Sequence, residues 1–154
     1  MNGFWPSLRF FHGLTGAGSK LYLFGGYAGS PNGQVNDLWA FSATTSTWAQ
    51  LASGAPGPSA RVGPGFASSG GLLYVLGGSG LRDLWAYDPA QDAWSDRTSS
   101  VEGDGTWPQS GVGGPGGLID VAGELFSVDM RSSAGIAPAT SVLNFRFETP
   151  HPKP

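Results

Sequence analysis

The sequence predicts an all-β chain assembled from repeated four-stranded antiparallel sheets, and three observations carry that expectation. First, Leu21-Tyr22-Leu23-Phe24-Gly25-Gly26 lies over Leu73-Tyr74-Val75-Leu76-Gly77-Gly78 without a gap, an offset of 52 residues. Second, "DLWAF" at 37–41 returns as "DLWAY" at 83–87, and each of these tryptophans is followed nine residues later by another, Trp48 and Trp94. Third, 26 Gly and 12 Pro with only 12% charged residues describe short strands and tight turns. Few stretches place apolar residues at helical spacing.

Each element follows in order. Pro6-Ser7-Leu8-Arg9 lies over Pro58-Ser59-Ala60-Arg61 in the same register, so a first strand follows each Arg. The Leu-Tyr run is the second strand and closes on the glycine pair. Next comes a loop, ten residues in "YAGSPNGQVN" at 27–36 but four in "SGLR" at 79–82. That six-residue difference is why the glycine pairs repeat at 52 and the Asp-Leu-Trp units at 46. Asp-Leu-Trp opens the third strand, "SATTST" and "DPAQDA" read as turns, and Trp48 or Trp94 begins the fourth. Four antiparallel strands in about 50 residues make one propeller blade.

Blade 1 is expected at about 6–51 and blade 2 at about 58–97, with a degenerate blade 3 at about 107–149 and a tail at 150–154. In blade 3, Trp107-Pro108 echoes Trp5-Pro6, Gly111-Val112-Gly113 replaces Arg61-Val62-Gly63, and Asp129-Met130 stands at the glycine pair. Leu125-Phe126-Ser127-Val128 replaces Leu73-Tyr74-Val75-Leu76, and "SVLNFRFET" at 141–149 follows "DLWAFSATT". The last Trp would fall at Pro152, so this blade is expected to lack its outer strand.

The set Arg9/Gly25/Gly26/Phe41/Trp48 and its copy Arg61/Gly77/Gly78/Tyr87/Trp94 resemble the kelch repeat. The resemblance implies an incomplete kelch-type β-propeller of about three blades, with the arginines lying toward the central channel. A glycine pair permits positive φ and close backbone approach at a strand end. The Tyr and Trp rings fill the space between blades.

Three blades do not close a ring, since propellers have about four to eight. Each open face would expose ~500 Å² of apolar surface, which at ~25 cal/mol per Å² is an upper bound of ~12 kcal/mol. The favoured expectation is a segment of a longer propeller; self-association through the open blade edges and an arc that survives with a sticky edge are the other outcomes.

Catalytic signatures are thin. Gly111-Val112-Gly113-Gly114-Pro115-Gly116 satisfies G-x-G-x-x-G, but Pro115 denies the helix that a dinucleotide site needs. Asp88, Asp92 and Asp96 belong to a turn and an outer strand, and Glu102-Gly103-Asp104-Gly105 is too short for a calcium loop. His12 and His151, far apart in sequence, are a poor metal pair. Zero Cys excludes disulfides and thiol chemistry. No metal and no cofactor is expected.

A net charge of −3 gives no electrostatic case for nucleic acid or an anionic membrane surface, and no segment is long enough to span a bilayer. The N-terminus lacks a signal-peptide core, which favours the cytoplasm.

The resemblance points to a non-catalytic module that recognises a protein partner through its loops. Arg9 and Arg61 are the candidates for pairing an acidic peptide, against a structural hydrogen bond to a neighbouring blade's carbonyls. Tyr27 and Asn32 in the long loop and Arg82 in the short one are the other candidate contacts. The alternative is a remnant or segment of a propeller-type enzyme acting on sugars, of epimerase or oxidase class.

Overall fold

A computed structural model describes residues 4–51, 56–100, 117–131 and 139–145, which form three antiparallel sheets in chain order. The first holds β1 (Gly13–Ala17), β2 (Lys20–Phe24), β3 (Leu38–Ser42) and β4 (Thr47–Leu51). The second holds β5 (Gly65–Ser69), β6 (Leu72–Leu76), β7 (Leu84–Asp88) and β8 (Ala93–Asp96). The third holds β9 (Gly117–Val121), β10 (Glu124–Arg131) and β11 (Ala139–Phe145). Each sheet is ordered as its chain runs, so the repeat unit is the sheet unit. Strand β1 lies against β5, and β5 against β9. The described residues form an arc of blades.

Trp107-Pro108, Gly111–Gly116, the Glu102–Gly105 linker, His151 and the site of the missing last Trp at Pro152 lie outside the described residues. Within them, the third sheet has three strands. Strand β10 also runs on through Asp129 and Met130, which pair with Ser141 and Thr140. Blades 1 and 2 end that strand on glycines with φ of 66° and 100°, and of 53° and 93°. Without such residues the ladder simply continues.

The β1–β2, β5–β6 and β9–β10 turns share one left-handed position, filled by Gly18, Gly70 and Ala122 at φ 57°, 56° and 56°. Alanine there carries the Cβ clash that glycine avoids, about 1–2 kcal/mol. Ala122→Gly is therefore expected to raise stability by roughly 1 kcal/mol, less the added chain entropy of glycine. A urea titration checks it: an unchanged or lowered midpoint would show that the turn is not strained.

Side chains alternate across each sheet, and the strand register fixes which share a face. Tyr22, Phe24, Leu38 and Ala40 of blade 1 pack on Phe66, Leu73, Val75 and Tyr87 of blade 2, with Trp85 and Trp94 beside them. Phe24 is central, its ring 6.0 Å from Phe66 and 5.5 Å from Trp94. The other face of blade 2 places Ala67, Tyr74, Leu76, Leu84 and Ala86 against Leu118 and Leu125 of blade 3. Aromatic rings dominate the first junction and aliphatic groups the second. Gly13 permits the close approach of β1 to β5, since a Cβ there would lie 2.5 Å from that of Phe66.

Candidate functional site

An antiparallel blade puts the segment before its first strand and the β2–β3 or β6–β7 loop at the same end. That end gathers residues 4–12 and 27–36 of blade 1 with residues 56–64 and 77–83 of blade 2.

The arginines sit there, turned inward. Arg61 Nη1 donates to Asp83 Oδ1 (2.6 Å) and Gly77 O (2.9 Å), and Nη2 donates to Asp83 Oδ2 (2.8 Å) and Ser59 Oγ (3.2 Å). Nε completes the set on Ser59 O at 2.9 Å. All five N–H groups of the guanidinium are thus used. Arg9 repeats the pattern on Asp37, Gly25 O and Ser7. Each aspartate also accepts from the indole two residues on, Trp39 or Trp85. The Asp of Asp-Leu-Trp therefore joins the Arg of one segment to the third strand of the same blade.

The side chains of Arg9 and Arg61 are 3% and 0% exposed. An acidic peptide could reach either guanidinium only by displacing a bidentate aspartate. Their carbonyl bonds are also made within their own blade, through Gly25 O and Gly77 O, rather than to a neighbour. It is the backbone of Arg61 that joins the blades, accepting from Gly26 N (2.8 Å) and donating to Val35 O (3.2 Å). Gly26 and Gly78 are crowded as well, since a Cβ on either would meet a backbone carbonyl at 2.9 Å.

Burial by itself pushes the Asp37 carboxyl up, but hydrogen bonds from Arg9 and Trp39 and the guanidinium charge outweigh it and hold the group below the usual carboxylate range. Burial, then the Arg9 charge, holds the His12 imidazole below its ordinary value. Burial, then donation to Asp92, pushes the Tyr87 phenol up. Among the described residues no group of three His, Asp or Glu could hold a metal ion.

The exposed part of this end is aromatic. Phe10 and Phe11 are each 54% exposed, their rings 5.2 Å apart and edge-on. Phe10 also lies 5.2 Å from Tyr27, and the two residues exchange backbone hydrogen bonds of 3.2 and 2.9 Å. Tyr27 is therefore half-buried in a small β-bridge that continues to Gln34. Phe11 has φ 55°, whereas its counterpart 52 residues on is Gly63 at φ 60°. A phenylalanine thus fills a position the repeat gives to glycine. Asn32 is exposed in the turn closed by Gly33 N on Gly29 O, and Arg82 is exposed in the short loop of blade 2.

The arrangement of Arg, Gly-Gly, Asp-Leu-Trp and outer Trp, copied bond for bond in two sheets, is matched by a family model. The KLHDC2/KLHL20/DRC7 Kelch-repeats domain model covers residues 1–113. The chain belongs to the kelch-repeat family. This kelch chain is 38% identical over 74 residues to the N-(sulfonatooxy)prop-2-enimidothioate sulfolyase of Thlaspi arvense, a match covering 47% of the chain and 21% of that enzyme. It is 34% identical over 67 residues to the N-acetylneuraminate epimerase of Pasteurella multocida (strain Pm70), covering 42% and 17%. It is 31% identical over 74 residues to Kelch domain-containing protein 3 of Homo sapiens, covering 48% and 19%. Its matches span about a fifth of the length of these curated relatives.

Sequence reasoning passed over Asp37, Asp83, Phe10 and Phe11, which lie at the same end of the blades as Arg9, Arg61, Tyr27, Asn32 and Arg82. The signal for the aspartates was present in their repeat directly before Leu-Trp. For Phe11 it was the exchange with Gly63 in the 52-residue register.

Proposed function

We propose that this chain is a non-catalytic protein-binding module whose contact surface is the aromatic cluster Phe10, Phe11 and Tyr27, flanked by the 27–36 loop and Arg82. The observation that carries this reading is Phe11. A bulky residue held at φ 55° beside an exposed ring is costly to fold, about 1–2 kcal/mol. Such strain persists where the surroundings over-determine it and is concentrated at ligand clamps. Exposed aromatics on a rigid β-scaffold are also the side chains from which interface hot spots are built.

Asn32 and Arg82 supply polar groups at the margin, where a rim contact belongs. Arg9 and Arg61 act one step back, by fixing the glycine corners and thereby the loops that carry the surface. Arg9, Asp37, Arg61 and Asp83 are engaged in holding the blade, which favours binding over acid–base chemistry.

The test is panning of a random-peptide display library on the immobilised chain. The wild type is expected to enrich a peptide class, and the double variant Phe10→Ser/Phe11→Gly to lose at least ~30-fold in affinity for it, the loss that a single aromatic anchor of ~2 kcal/mol already requires. Glycine suits the backbone at position 11, so the melting curve should hold. Undiminished capture by the folded double variant would sink the assignment.

A further inference from the structure

The long loop of blade 1 crosses to blade 2. Its last three residues each make one hydrogen bond there. Gln34 Oε1 accepts from Ser79 Oγ at 2.8 Å, Val35 O accepts from Arg61 N at 3.2 Å, and Asn36 Nδ2 donates to Pro58 O at 3.1 Å. The loop is tied to its own blade by Val35 N on Gly26 O (3.0 Å) and closed by Ala28 N on Gly33 O (2.8 Å). In the 46-residue register Gly80 stands at the place of Gln34, so the short loop has no side chain for the same reach.

The short loop is the segment that needs such a hold. Gly77, Gly78, Ser79 and Gly80 run at φ 53°, 93°, 51° and 78°, four left-handed residues in a row. Glycine gives such a run little conformational bias of its own. Ser79 is the one member with a side chain. Its Oγ accepts from Val62 N at 2.9 Å, and its N donates to Val62 O at 3.0 Å. The hydroxyl then has its single proton left to give, and Gln34 takes it. A non-glycine residue persists in the left-handed region where its surroundings over-determine it. Arg82 stands three residues on, across a turn closed by Leu81 N on Gly78 O (2.9 Å).

The same residues lead back to the aromatic cluster. Gly63, next to Val62, donates its N–H to Phe11 O at 2.8 Å. In the 52-residue register Ser79 takes the place of Tyr27 and Val62 that of Phe10, the pair bridged on blade 1. Gln34 is itself bridged to Tyr27 through its backbone. Its backbone thus holds Tyr27 while its side chain holds Ser79.

We propose that Gln34 and Ser79 are positioning residues: the relay from Val62 N–H through the Ser79 hydroxyl to Gln34 Oε1 sets where Arg82 stands relative to Phe10, Phe11 and Tyr27. The use of that spacing in recognition rests on the contact surface proposed above; the spacing itself does not.

The test is a spin-label distance measurement on the intact chain, which has no native cysteine. Labels go on Gln50→Cys, exposed on β4 of blade 1, and on Arg82→Cys, exposed in the short loop of blade 2. The doubly labelled chain is expected to give one narrow distance distribution. Adding Gln34→Leu or Ser79→Ala should broaden it about twofold, as a freed glycine run would. Gln34→Glu should keep it narrow, since a carboxylate still accepts the Ser79 proton. Gln34 and Ser79 are exposed, so the variants should retain the wild-type circular dichroism spectrum. An unchanged width in Gln34→Leu or in Ser79→Ala overturns the relay, and so does a Gln34→Glu chain as broad as Gln34→Leu.

A second arm uses a peptide enriched on the wild type. Arg82→Ala is expected to lower its affinity about fivefold, the upper end for an exposed charge. Gln34→Leu should lower affinity in the wild-type background and add nothing in the Arg82→Ala background. Equal effects in the two backgrounds, zero included, would overturn the coupling. If no peptide enriches, the proposed function fails while the distance distribution still decides the relay.

Discussion

Replacing Asp83 with alanine is expected to destabilise the chain by about 3–5 kcal/mol, the loss seen when one member of a buried ion pair is removed. The physical reason is the state of the partner left behind. Arg61 is fully buried and loses two of its five acceptors, while its charge cannot be discharged near neutral pH. The indole of Trp85 loses its acceptor at the same time. Asp83→Leu combined with Arg61→Met should cost much less than Asp83→Ala, because no charge then remains inside. Arg61→Lys should not rescue, since a point charge cannot reproduce the two-pronged contact and the bonds to Ser59 and Gly77 together. Urea denaturation followed by tryptophan fluorescence gives the numbers. A cost below about 1 kcal/mol for Asp83→Ala would place the pair among surface ion pairs and remove its structural role.

Phe24→Ala is expected to cost about as much, roughly 3–5 kcal/mol, through a different mechanism. Phe24 is fully buried between blades, against Phe66 and Trp94, so truncation loses transfer free energy and leaves a cavity at the aromatic-rich junction of blades 1 and 2. Phe41→Ala on the open face is the control. Its ring is partly exposed and lies 5.2 Å from Trp48, so the loss should be less than half as large. Equal costs for the two would mean that the open face is already covered, and the inter-blade packing would need another account.

The two substitutions probe different bonds in the same design. Asp83 tests how a blade is closed upon itself at its loop end, and Phe24 how one blade is held to the next. Only the second should alter the mutual packing of blades 1 and 2. The first should loosen the Gly77-Gly78 corner and the 79–82 loop before it affects the interface.

Much of this was legible before any coordinates. Strands β1 to β8 fall where the repeated Arg, Leu-Tyr, Asp-Leu-Trp and Trp segments place them, because turn glycines and alternating apolar residues are short-range signals. The run of β10 through Asp129 and Met130 follows from the same logic in reverse, as there is no glycine to turn the chain. Arg9 and Arg61 could not be read in this way. Their spacing was compatible with a free cation at a channel, and the carboxylates that neutralise them lie 28 and 22 residues downstream. Phe10 and Phe11 were equally opaque, since an apolar pair before a first strand looks like core until its exposure is known.

The sequence by itself determined the four strands of blades 1 and 2, their order, and which residues alternate to which face, because these depend on contacts and dihedral preferences within a few residues. Only the tertiary structure decided which charges are consumed inside the protein and which rings are left in solvent. Those outcomes depend on loops returning to one end of a blade and on one sheet covering the next, and distance along the chain carries no record of either.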